Sequence, residues 1–406
     1  MNVFRFVAVL WCLVAASAPA IAQEARGGLE TARFRWGPLG VTPRVALTNL
    51  GVDTNVFHDE DEPQRDFTFT VTPGADTWFR LGRAELSLGS SIDWTYFRDS
   101  KQQRALGWSQ DARLDVRLNR LSPHVSGAYL TTRQRPNLEI DARVRQKRER
   151  IGAGTGVRVG ARTWLDLDVM REAVDFGDRS FGDPRLAEAL NRETREAGLA
   201  VRAELTPLTT FAVRTALSQD RFDTSARRDS NSVTLIPSLS LQPLALISGR
   251  VAVGFRHFDV LDETVPDYAG VVAEAEVSYI LREMIRFGAT VQRDVDYSAD
   301  SAQPYSVVSG GVLSISQVIG LDWYVTGRAG RSWLDYRSFA SVTDDGTVLA
   351  RDGRQDRVTT YGGGLARRIG TDLLLGFDVD RVGRVSGVDG RSYEGYRFGG
   401  SIIYGR

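Results

Sequence analysis

Cysteine, histidine and net charge are all scarce in this 406-residue chain, which has one cysteine, three histidines, and 51 basic side chains against 51 acidic ones. Each scarcity excludes a class of chemistry. Cys12 sits in an N-terminal apolar run, so the sequence beyond that run holds no disulfide, thiolate metal site or cysteine nucleophile. His58, His124 and His257 lie far apart, with no ligand spacing such as His-x-x-x-His. A balanced charge leaves no basic footprint for nucleic acid and no acidic tail. Beyond the N-terminus no run approaches the roughly 20 apolar residues of a membrane helix. Hydrophobic residues make up 42% and charged residues 25%. That average conceals one membrane architecture, the β-barrel, in which lipid-facing apolar residues alternate with polar lumen residues.

The N-terminus has the three parts of a secretory signal: one positive charge in Met1 to Arg5, an apolar core from Phe6 to Val14, and small residues from Ala15 to Ala22. Cleavage is expected after Ala22. The core is too short to span a bilayer, and the bulky Trp11 before Cys12 does not suit a lipidated cysteine. The expected organisation is therefore a signal at residues 1–22, a short periplasmic arm at 23–40 and a barrel at 41–406.

From Val41 to Tyr404 the chain returns repeatedly to segments with one apolar and one polar face at a period of two, the signature of a strand. In Leu106 to Leu118, Trp108, Ala112, Leu114, Val116 and Leu118 share one face, and Ser109, Asp111, Arg113, Asp115 and Arg117 the other. Short turns fall near Leu81–Arg83, Asn119–Ser122, Gly160–Arg162, Pro207–Thr209, Pro243–Leu244, Leu281–Glu283, Val318–Gly320 and Gly370–Thr371. Between them lie nine longer polar connections, the longest from Arg337 to Gln355. Nine loops interleaved with eight turns predict an all-β fold, a single transmembrane antiparallel barrel of about 18 strands (16–18) with both termini periplasmic. Pro237 conflicts with its predicted strand, because a closed barrel has no free edge for a residue without an N–H. Arg185 to Arg195 reads as a short helical turn in a loop, and the glycine-rich Gly152 to Gly156 as strand, since no lysine or helix start follows it.

If the apolar faces meet lipid, the lumen receives Asp111, Arg113, Asp115, Arg117, Glu196, Arg202, Glu204, Arg214, Arg250, Arg256, Glu274, Glu276, Arg286, Arg328 and Asp378. Both signs are mixed, which suits a hydrated, weakly selective wall; equally, these charges could pair with one another and simply fill the lumen. Carboxylate pairs such as Asp166 with Asp168, and Asp378 with Asp380, share a strand face and read as lumen residues. Aromatics near strand ends, among them Trp78, Trp108, Trp164, Trp323, Trp333, Tyr336 and Tyr396, are expected to form interfacial girdles. No nucleophile, histidine and acid set can be assembled, so no enzyme, cofactor or metal is expected.

Two segments carry a family resemblance. Gly51 to Phe57 reads GVDTNVF, and after an acidic loop Asp66 to Gly74 reads DFTFTVTPG. This resembles the opening hairpin of the putative β-barrel porin type 2 family, outer-membrane proteins of which some are associated with exopolysaccharide export. Arg397 to Tyr404 reads RFGGSIIY, and Gly399, Ile402 and Tyr404 resemble the C-terminal signal recognised by the barrel-assembly machinery, although Gly405 and Arg406 follow the aromatic residue. The expected function is a porin-like channel of the Gram-negative outer membrane for hydrated polar solutes, with exopolysaccharide as the cargo the resemblance implies. The alternative is a structural or adhesive barrel with a closed lumen, acting through its extracellular loops. Expected partners are outer-membrane lipid, the assembly machinery and, from the resemblance, polysaccharide or polysaccharide-export components.

Overall fold

A computed structural model describes residues 28–177, 185–242, 246–338, 340–342, 348–350 and 353–405. The signal segment and the Pro243–Leu244 turn lie outside them. Alternation builds strands along the whole chain: β1 (Phe34–Trp36), β2 (Leu39–Asp53), β3 (Asp66–Leu81), β4 (Ala84–Phe97), β5 (Ala105–Val116), β6 (Leu121–Gln134), β7 (Val144–Arg158), β8 (Thr163–Phe176), β9 (Arg192–Thr206), β10 (Thr209–Phe222), β11 (Ser230–Leu241), β12 (Ile247–Val260), β13 (Tyr268–Leu281), β14 (Ile285–Tyr297), β15 (Tyr305–Ile319), β16 (Trp323–Arg337), β17 (Ala340–Val342), β18 (Val348–Ala350), β19 (Gln355–Ile369), β20 (Leu373–Val385) and β21 (Tyr393–Tyr404). Apart from β1 and the separate β17–β18 hairpin, they form a ring of 18 antiparallel strands in chain order, closed by β21 on β2. Closure matters because hydrocarbon offers no partner to an unpaired strand edge.

The outer face is apolar and exposed. Ile92, Trp94, Leu106, Trp108, Leu313 and Ile315 all point outward, with Leu106 and Leu313 each 67% exposed. A strand of 12 residues, such as β5, spans about 40 Å at roughly 3.3 Å per residue. Even when tilted it outruns the apolar band of about 25 Å. The two rims differ as the sequence predicts: one has tight turns such as Gly82–Arg83 and Gly370–Asp372, the other the long connections. Both ends of the ring, Leu39 and Tyr404, lie at the short-turn rim. There Arg33 bonds Asp372 at 2.8 Å and the Tyr404 hydroxyl at 2.9 Å.

Pro237 does lie in a strand, facing outward. The β11–β12 ladder lapses there, between Leu235↔Phe255 and Ser238↔Ala252, so no rung requires its missing N–H. Leu186–Leu190 is an α-helix as expected, but Arg192 to Arg195 are the start of β9. Pairing of that stretch with β8 and β10 overrides its local helical preference. Gly152 to Gly156 lie within β7.

Candidate functional site

The lumen has two tiers. The tier nearer the short turns is a wall of ion pairs. Arg214 on β10 reaches Asp168 on β8 at 2.5 Å and Glu196 on β9 at 2.8 Å. Its guanidinium lies across Gly198, where a Cβ would collide with it. Gly362 makes the same space for Arg328, which pairs with Asp380 and lies 3.8 Å from Asp378. Arg202 pairs with Asp166 at 3.0 Å and Arg113 with Asp115 at 2.9 Å, and nearer the long-loop rim Arg256 pairs with Asp294 at 2.6 Å. These groups retain contact with solvent, Arg202 and Asp166 at 35% and 31% of their side-chain surface.

The remaining charges singled out from the sequence share this inner face. Asp111 lies on β5 beside Arg113, and Arg117, just beyond that strand, is 3.9 Å from Glu85. Glu204 is exposed near the short-turn end of β9. Arg250, Glu274, Glu276 and Arg286 line β12 to β14 and make no ion pair within 4.0 Å among the described residues, although Arg250 and Glu276 are register partners. At the closing seam Gly399 faces Gly51, while Ile402 and Tyr404 point outward, 41% and 44% exposed.

In the tier nearer the long loops, connections fold inward and bury side chains against the wall. The segment from Arg135 to Arg143, between β6 and β7, crosses the lumen to β20. There Arg384 donates to the Glu139 carbonyl at 2.8 Å and pairs with Asp141 at 2.6 Å and Asp356 at 2.5 Å. Arg354 also pairs with Asp356. The Arg384 and Asp356 side chains have no exposed surface at all. Leu138 packs on Leu334, Tyr336 and Val358, the inner faces of β16 and β19. Ile140 joins Val174, Phe176, Phe222, Ala299 and the helical residues Leu186, Ala189 and Leu190 in a second apolar cluster. Burying each such side chain contributes about 1.5–3 kcal/mol. Both clusters lie inside the ring.

The motif Gly51 to Phe57 supports this tier. Asn55 is 1% exposed, and its amide donates to the carbonyls of Asp59 and Glu394, while the Val56 carbonyl accepts from Arg135 at 2.8 Å. His58 stacks on Tyr393 with ring centroids 4.0 Å apart, and burial lowers its pKa to about 4. Glu139 accepts the Ser298 hydroxyl at 2.7 Å and the Ala299 N–H at 3.2 Å. Burial nevertheless pushes its carboxyl up to about 7.

Three expectations about aromatics are overturned. Trp78 and Trp164 face inward, not toward lipid. Trp78 is 5% exposed, and Trp164 lies under Arg202 and Arg158, at 4.9 and 5.7 Å. Both sit on the polar parity of their strands, and arginine faces hold Trp164 there. Tyr336, also inward, belongs to the packed tier. Glu139, Asp141, Asp356 and Arg384 were not singled out from the sequence. The available signal was apolar Leu138 and Ile140 in an otherwise polar connection, together with the leucines of the Leu186–Leu190 turn.

The sequence matches the family model described as "Putative beta-barrel porin 2" over residues 30–401. None of the curated proteins matches. Among solved structures, the chain is similar to the FrpB iron transporter (F3-3 variant) of Neisseria meningitidis at 8% identity and a TM-score of 0.44, covering 85% of this chain and 62% of that one. It therefore spans less than two thirds of FrpB. It is similar to OpdK of Pseudomonas aeruginosa, solved with vanillate, at 10% identity and a TM-score of 0.49, covering 93% of this chain and 99% of that one. OccK9 (OpdG) of the same organism gives 13% identity, a TM-score of 0.48, and coverage of 93% and 100%. With a family match that spans nearly all of an 18-stranded ring with an apolar outer face, the chain belongs to the putative β-barrel porin 2 family, the porin-like barrels of the Gram-negative outer membrane.

Proposed function

We propose that this barrel is a gated channel for hydrated polar solutes, and that the inward-folded loops hold its closed state. The observation that carries the reading is the two-tier lumen. Solvated ion pairs of both signs line one half, offering donors and acceptors to water and hydroxyl-rich solutes without strong preference for anion or cation. In the other half, connections that belong to loops are buried against the inner face of the wall. On this reading the long-loop rim faces outward, both termini are periplasmic, residues 1–22 are removed as a signal, and Gly399, Ile402 and Tyr404 address the chain to the assembly machinery. Polysaccharide as cargo follows from the family resemblance, and deletion of the gene with unchanged surface polysaccharide would remove it.

The test is conductance in planar bilayers. The intact protein is expected to open rarely. A variant in which residues 136–142 are replaced by a short Gly/Ser linker is expected to conduct several-fold more. If neither conducts, the channel reading fails and the second reading stands, a closed barrel acting through its loops, which the complete burial of Arg384 and Asp356 favours.

A further inference from the structure

Among the described residues two ladders of the ring stop short of the long-loop rim, β5–β6 at Trp108↔Thr131 and, over a longer stretch, β13–β14. Between β13 and β14 the ladder stops at Ala273↔Arg293, although β13 stays paired with β12 as far as Tyr268 and β14 with β15 as far as Tyr297. Above that point the β14–β15 hairpin, still paired with β16 as far as Tyr305↔Arg337, lies on the lumen side of β12 and β13. On β15 the parity that points outward at Leu313 and Ile315 is fully buried at Val307 and Tyr305, which pack on Phe258, Tyr268 and Val272, the inner faces of β12 and β13. The hairpin is thus wedged between the wall and the crossing loop, with Asp296 accepting from Asn137 on its other face.

The sequence of the hairpin fits a second position. Continuing the β13–β14 register would pair Val272 with Asp294, Val271 with Val295, Gly270 with Asp296 and Ala269 with Tyr297. The parities agree: Val271 and Ala269 point outward, as would Val295 and Tyr297, while Asp294 and Asp296 would join the polar inner face. The same apolar parity, Val295 and Tyr297 with Tyr305 and Val307, now packs on the inner faces of β12 and β13, so one alternation serves both positions. The free edge is held by makeshift bonds. The Val271 carbonyl accepts the Tyr268 hydroxyl at 2.8 Å and Arg293 Nε at 3.1 Å, and Arg293 also reaches Ser309 at 2.6 Å.

We infer that the β14–β15 hairpin is the moving gate of the pore, exchanging between the lumen position described here and a wall position in which the β13–β14 ladder is complete. The wall position regains about four rungs and gives up the contacts that hold the tip inside. Chief among these are Arg228, which donates to the carbonyls of Ser298 and Asp300 at 3.2 and 2.7 Å, and Glu139, which accepts from Ser298 and Ala299. Closing the wall empties the lumen of the wedge, so zipping and opening are one event. The opening half of this inference rests on the channel reading; the exchange itself does not.

The absence of cysteine after Cys12 makes the test clean. The double variant Ala269→Cys/Tyr297→Cys, whose Cα atoms would lie about 5.5 Å apart only in the wall position, is within disulfide range there. Val277→Cys/Ala289→Cys, paired across the existing ladder, is the control. Oxidation in native outer membranes is expected to cross-link both pairs. Adding Arg228→Ala should speed cross-linking at 269 and 297 several-fold, and trapped protein should conduct several-fold more, reverting with reductant. Cross-linking of the control alone, or no acceleration by Arg228→Ala, would overturn the exchange. Cross-linking without a conductance change, in protein that conducts, would overturn the gate. If no variant conducts, including the 136–142 replacement, the channel reading fails while disulfide yield still decides the exchange.

Discussion

Arg202 with Asp166 and Arg384 with Asp356 are the same chemical pair in two settings. The first lies on the solvated tier with about a third of each side chain exposed, the second under the crossing loop with none. Solvation decides what each does. A wetted pair gains little, because water competes for both partners. A buried pair cannot lose one partner without leaving a charge stranded in low dielectric. On the channel reading proposed above, the solvated tier tunes what passes and the packed tier decides whether anything passes.

The comparison breaks most sharply at Arg384. Arg384→Ala takes one of the two guanidinium partners from the buried Asp356 and removes the Arg384 partner of Asp141, and is expected to cost about 3–5 kcal/mol, lowering the thermal midpoint of the detergent-solubilised barrel and raising its conductance. A midpoint within a degree of the parent would contradict the buried network. Next comes Leu186→Ala, which opens a cavity among fully buried neighbours and should cost about 2–5 kcal/mol, read in the same melt.

The pH response is smaller and separates two groups of the packed tier. Glu139, raised from 4.5 to about 7, is protonated while the loop is docked; a released loop lets it ionise. Its contribution is complete below pH 4.5 and is lost at up to about 1.4 kcal/mol per unit as pH rises to about 7. Around it Arg391, Arg228 and Asp296 set the local field. His58, lowered from 6.5 to about 4, acts in the opposite sense, complete above 6.5 and lost as pH falls toward 4. The two slopes oppose each other between 4.5 and 6.5, so open probability should rise on the flanks. Glu139→Gln should flatten the neutral flank and His58→Gln the acid one; an unchanged profile in both would exclude these groups. Smallest of all is Arg202→Gln, worth about 0–1 kcal/mol of stability. Its readout is the reversal potential in a salt gradient, which should shift toward cation preference once Asp166 loses its partner.

The ring was legible because a strand's period is local. Leu106 to Leu118 declares its two faces without reference to any other segment, and alternating short and long connections count the strands. The packed tier was not legible, because it depends on partners remote in sequence. Nothing around Leu138 to Asp141 announces Arg384, some 245 residues further on. Trp78 and Trp164 were misplaced for a related reason: position near a strand end suggested a girdle, while strand parity, which governs direction, pointed them inward.

The seam between β2 and β21 has a consequence for biogenesis. It joins the first strand of the ring to the last, with Gly51 opposite Gly399, so it is the most distant pairing the chain makes. Within the ring every other pairing links consecutive strands and can form as they arrive, but the cylinder cannot shut until Tyr404 is in hand. Until then the growing sheet has two open edges, which invite pairing with foreign strands. A chain cut short anywhere upstream would be an open ribbon and a target for degradation, never a narrower pore.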